Sequence, residues 1–196
     1  DHIEKRILKF FGYDSVFQYQ NNIDAPVYSS GKITSNKESL SFWVNMAYAS
    51  FNRISNPNEY DRESLTNLFP TLRAYSLNME HGLTQVARIL FKVGVTLIFI
   101  PKIYKDLHIR AATFSIDDKP CIALTNYRDL YPTIWFSLFH ELYHVLYDWD
   151  EISSSESKSH LSAGLSTPLI DEEAANRFAT RYLFDEEQQL EIEPDL

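Results

Sequence analysis

At 196 residues the chain is long enough for one sizeable core, and a composition of 44% hydrophobic and 14% aromatic residues excludes a disordered chain. A formal net charge of −9 argues against a protein that grips nucleic acid by itself, because phosphate binding needs a basic surface. The single cysteine, Cys121, rules out a disulfide framework or a thiolate metal cluster and suits a reducing compartment such as the cytoplasm.

The opening Asp1-His2-Ile3-Glu4-Lys5-Arg6 is charged and has no apolar run behind it, so it is no signal peptide. A chain that starts on Asp1 rather than Met is expected to be a piece of a longer protein. Ile3, Ile7, Leu8 and Phe11 have helical spacing, and Gly12 is placed to end that helix. Asn21, Asn22, Asp24 and Pro26, then Ser29, Ser30 and Gly31, read as turns. Ser35 or Asn36 is placed to cap a helix over 37–54, with Leu40, Trp43, Val44, Ala47, Tyr48 and Phe51 on its inner face, before Asn56-Pro57-Asn58 ends it. Further helices are predicted over 61–76 and 83–92. The main boundary is expected near residue 80, dividing a helical docking or dimerising region (1–80) from a second domain (81–196).

From Gly94 the pattern changes to strands. The run from Val95 to Ile100, ended by Pro101, reads as a buried strand and is too short to cross a bilayer. Ala112 to Ile116 and Cys121 to Thr125 read as a β-hairpin turning at Asp117-Asp118. Residues 151–167 are Ser-rich and polar, predicting a mobile loop that holds a solvated His160. A last helix is expected over 171–184.

Between the hairpin and that loop lies the stretch with chemistry in it. Pro132 suits a first helical turn, and no Gly or Pro interrupts the chain from Thr133 to Tyr147. Within it His140-Glu141-Leu142-Tyr143-His144 places two histidines four apart, on one face of a helix, where both rings reach one cation. Glu141 is one residue along, near the ion without ligating it, where a general base belongs. The rest of the helix is apolar nearly all round and predicts burial, which costs several kcal/mol for imidazoles and a carboxylate left unpaired.

A catalytic zinc site has three protein ligands, and Asp171-Glu172-Glu173-Ala174-Ala175-Asn176-Arg177 offers the third. Glu173 stands four before Arg177, the spacing of an exposed ion pair. Glu172 stands four before Asn176 and shares its face with Ala175 and Ala179, whose small side chains permit close helix approach. Glu172 is therefore the expected ligand, and Asn176 the residue that orients a ligand from behind. Asp148, four after His144, is placed to orient an imidazole, with a surface cap as the preferred expectation. Tyr127, Tyr143 and Tyr147 lie near the helix in sequence, where one could donate to an oxyanion, although most tyrosines are expected to be core or rim.

These elements in this order, Cys121 to Thr125, Trp135 to His144 and Glu172 to Ala179, resemble the ImmA/IrrE family of metallopeptidase-like domains over roughly 83–185. The resemblance implies an α+β, zincin-like (gluzincin) domain, a small sheet packed on the metal-binding helices and preceded by a mainly helical N-terminal region. It implies a Zn2+ site with His140, His144 and Glu172 as ligands, Glu141 as base and Asn176 behind them. The function implied is a zinc-dependent endopeptidase acting on a bacterial transcriptional repressor or another regulatory partner, as in toxin–antitoxin modules. DNA would be reached only through a helix-turn-helix domain outside this chain; no membrane is involved, and a homodimer is allowed. Two departures stand out: Tyr143 where the family usually has Gly, and Phe184-Asp185 in place of Met-Pro. The competing expectation is a non-catalytic antitoxin-type regulator whose zinc is structural or sensory.

Overall fold

A computed structural model describes residues 2–12, 37–102, 105, 107–126, 130–154, 159–162 and 171–184. The turns expected over 21–31 and Tyr127 lie outside them. The described elements are α1 (His2–Phe11), α2 (Lys37–Phe51), α3 (Arg62–Leu72), a 3-10 turn (Arg73–Leu77), α4 (Gly82–Lys92), β1 (Thr96–Phe99), β2 (Ala111–Ile116), β3 (Lys119–Leu124), α5 (Tyr131–Tyr147), α6 (Trp149–Ser154), β4 (Ser159–Ser162) and α7 (Glu172–Leu183). The class is α+β, helices first and a small sheet after them.

The sheet runs in the order β1-β3-β2-β4. β2 and β3 form the hairpin, Ala111 opposite Leu124 through Ile116 opposite Lys119. Its two turn residues, Asp117 and Asp118, have φ of 52° and 57°. Two successive left-handed residues make the tight turn whose twist matches the strands, and Asp accepts that conformation better than most. β1 lies parallel to β3 and β4 antiparallel to β2.

β2 and β3 are buried on both faces, so alternate residues enter two different packing layers. Ala112, Phe114, Cys121 and Ala123 face α2, meeting Trp43, Val44, Ala47 and Phe51. Phe114 is the centre of that layer, with the rings of Trp43, Tyr48 and Phe51 at 6.4, 5.1 and 5.6 Å. Ala111, Ile122 and Leu124 face the other way, into a cluster with Trp135, Leu138, Phe139, Leu142 and Val145 of α5. Burial pushes the Cys121 thiol up to about 12, so it stays protonated at neutral pH.

Packing leaves no gap at the boundary expected near residue 80. Leu65, Phe69 and Leu72 of α3 share a core cluster with Leu138, Phe139 and Leu142 of α5. The Tyr60 hydroxyl donates to the Val145 carbonyl at 2.7 Å. α2 and α3 thus spend their apolar faces inside. α1 buries none of its residues, and its Ile3 is 66% exposed.

Two predicted boundaries differ in the structure. The helix expected over 61–76 ends as α-helix at Leu72 and tightens into the 3-10 turn. The loop expected over 151–167 contains the end of α6, held by buried Trp149 and Ile152, and all of β4, whose Ser159–Ser162 pairs with Phe114–Ala111. Strand pairing uses backbone groups, so a polar sequence does not prevent it. His160 accordingly sits in a strand, in register with Thr113.

Gly94 has φ of +82°, and a Cβ there would come within 2.4 Å of the Glu59 and Tyr60 backbone. Gly94→Ala should therefore destabilise the fold by more than about 2 kcal/mol. Denaturant unfolding measures this, and an unchanged midpoint would refute the close approach.

Candidate metal centre

α5 begins after Leu130, in extended conformation, with Pro132 in its first turn, and ends at Asp148, whose N–H bonds the His144 carbonyl. Its apolar surface draws it into the core, and His140, Glu141 and His144 go with it: Glu141 and His144 are 0% exposed and His140 5%. Each of the three has found partners.

His144 Nδ1 lies 2.7 Å from Asp148 Oδ2, and His140 Nδ1 lies 3.1 Å from Asn176 Oδ1. An ionised carboxylate and an amide oxygen only accept, so both Nδ1 atoms carry the proton and donate it. The two Nε2 atoms face each other at 3.2 Å. They are the ring nitrogens that a shared metal ion would take.

The compensating negative charge comes from α7. Glu172 Oε2 stands 3.2 Å from His140 Nε2, and Glu172 Oε1 3.7 Å from His144 Nε2. One ligand atom from each of His140, His144 and Glu172 lies within 4.8 Å of the others, a group able to hold a metal ion. The donor chemistry fits a zinc-sized ion. Nitrogens at about 2.0–2.1 Å from one tetrahedral ion stand about 3.3–3.4 Å apart, close to the separation seen here.

α7 presents Glu172 and not Glu173 for a local reason. Asp171 caps the helix by accepting from Ala174 N at 2.8 Å, which places Glu172 at the first helical position. Ala175 and Ala179 are fully buried on the same face, so the backbone can lie close to α5. Asn176, one turn on, reaches His140. Glu173 points outward and pairs with Arg177 at 2.8 Å.

Tyr143 does not keep α7 away. Its ring meets Phe178 of α7 edge-on at 5.4 Å and Tyr147 at 4.8 Å, so the extra bulk becomes an aromatic contact between the helices. Burial, with the charges of Asp148 and Asp171, pushes the Tyr143 hydroxyl above its ordinary range, so it remains a neutral donor.

Asp148 caps α5 and also takes the second role its spacing offers: it is 8% exposed rather than on the surface, and its side chain reaches back to His144. One role does not follow from the sequence reading. Thr113 of β2 donates its hydroxyl to Glu141 Oε2 at 2.6 Å. Glu141 Oε1 is buried with no hydrogen-bond partner. The i+4 spacing of Asp148 is a usable signal; a threonine within a strand carries none.

Glu172→Ala should abolish stoichiometric metal binding, whereas Glu173→Ala should retain it, as measured by elemental analysis of purified protein. Equal losses would place the wrong face of α7 in the site. Asp148→Ala should weaken metal affinity about 10–100-fold in chelator competition, through loss of the bond that fixes the His144 ring.

No family model matches the chain, and no curated protein or solved structure matches it either.

Proposed function

We propose that the chain is a zinc-dependent endopeptidase with a zincin-like fold, His140, His144 and Glu172 being the metal ligands. The observation that carries this reading is Glu141. It is a third carboxylate, wholly buried beside the two histidines, and no ion pair engages it among the described residues. A site built only to hold a metal has no need of it, since burying a carboxylate is costly.

Two neutral imidazoles and one carboxylate suit zinc among the common divalent ions. Zinc, when bound, supplies Lewis acidity that polarises a carbonyl and acidifies a water molecule. Glu141 then takes a proton from the attacking water at Oε1 and returns it to the amine that leaves. Asp148 and Asn176 would orient the imidazoles through Nδ1, with Nε2 turned to the metal.

The substrate follows from the likeness to ImmA/IrrE domains: a DNA-binding repressor or comparable regulatory protein, in the cytoplasm. Any DNA contact belongs to a separate helix-turn-helix domain. No helix among the described residues is long and apolar enough to cross a membrane.

One observation favours a second reading. Glu141 is wholly buried and held to the sheet by Thr113, which also suits a closed site in a regulator that works by contact. Glu141→Gln separates the two. The variant should keep its zinc and its fold, while cleavage of the partner should fall about a hundredfold to ten-thousandfold. N-terminal labelling and mass spectrometry in matched cells reads this as new protein termini present with wild type and absent with the variant. Identical termini in both, with regulatory output unchanged, would establish the contact reading.

A further inference from the structure

We infer that Thr113 is a positioning residue for Glu141: its hydroxyl holds Oε2 and thereby leaves Oε1 as the atom that accepts the proton. The inference rests on the peptidase reading and assigns a role in it to the sheet.

A glutamate carries its carboxylate at the end of three rotatable bonds, so a base held only by its own helix would sample several positions. Thr113 restricts it from outside. The residue is 0% exposed and sits mid-strand in β2, in register with Ile122 of β3 on one side and His160 of β4 on the other. Neighbouring strands on both sides fix its backbone, and a β-branched side chain is stiff at χ1. Its one hydroxyl proton is directed to Oε2 at 2.6 Å, a short bond to a carboxylate oxygen.

The two oxygens of Glu141 differ in what they meet. Oε2 is satisfied, while Oε1 is buried and unpaired. A carboxylate placed only to tie helix to sheet would have both oxygens satisfied, because an orphaned buried acceptor costs about 1–3 kcal/mol. An acceptor left without a partner on the residue next to His140 is arranged to receive a proton from something else.

Acetohydroxamate is the probe, since its two oxygens bind zinc and its hydroxyl hydrogen needs an oriented carboxylate to accept it. Zinc content, thermal midpoint and acetohydroxamate affinity are measured for wild type, Thr113→Val, Thr113→Ala, Thr113→Ser and Glu141→Gln. Valine keeps the shape and removes the donor; should it disturb the sheet, alanine makes the same comparison. All five proteins should hold one zinc. Thr113→Val and Thr113→Ala should bind the probe about tenfold more weakly, as expected for one lost charge-assisted hydrogen bond. Thr113→Ser should restore wild-type affinity, and Glu141→Gln should weaken it at least as much as Thr113→Val. A merely structural threonine would lower the thermal midpoint and leave probe affinity alone, and that result overturns the inference. So does a Thr113→Ser protein as weak as Thr113→Val, or a zinc-loaded wild type that does not bind the probe. A wild type without zinc removes the metal centre itself, which is visible before any variant is compared.

Discussion

Burial of His140, Glu141 and His144 on an otherwise apolar helix is the constraint on which the surrounding structure depends. Such a triplet is costly unless its polar atoms find partners, and among them Glu141 Oε1 alone has none. The partners are spread over three elements: the end of α5 gives Asp148, α7 gives Asn176 and Glu172, and β2 gives Thr113. Those contacts leave the two Nε2 atoms and the Glu172 carboxylate close together, a group that could hold a divalent cation.

The layers follow from that arrangement. One face of the sheet must reach α5, so β2 sends Ala111 and Thr113 toward the site while Phe114 turns back to α2. α2 closes the rear of the sheet, and α3 and α4 wedge their apolar residues against α5 from the side. α3 and α4 are therefore part of the packing around α5.

Features carried by spacing are legible in the amino-acid sequence alone. The i, i+4 histidines define one face of a helix, and alanines at 175 and 179 mark the side of α7 that can approach another helix. That face holds Glu172, while the Arg177 spacing draws Glu173 to solvent. The Asp117-Asp118 turn is legible for the same kind of reason, two residues tolerant of positive φ between β-branched and apolar runs. What the sequence hides depends on distant partners. β4 pairs through its backbone, so its serines give no hint of a strand. Thr113 is one of many buried polar residues until α5 lays Glu141 over it. The continuity of packing across residue 80 is likewise a property of contacts between α3 and α5, which no local composition shift reports.

Zinc-edge X-ray absorption on the purified, zinc-loaded chain tests the central claim most directly. The proposed ligand set requires a first shell of nitrogen and oxygen at about 2.0–2.1 Å, two of those scatterers carrying the outer-shell signature of imidazole rings. Sulfur in that shell would put Cys121 at the metal, although its thiol is buried and protonated here. Either sulfur or fewer than two imidazoles would contradict a site built from His140, His144 and Glu172.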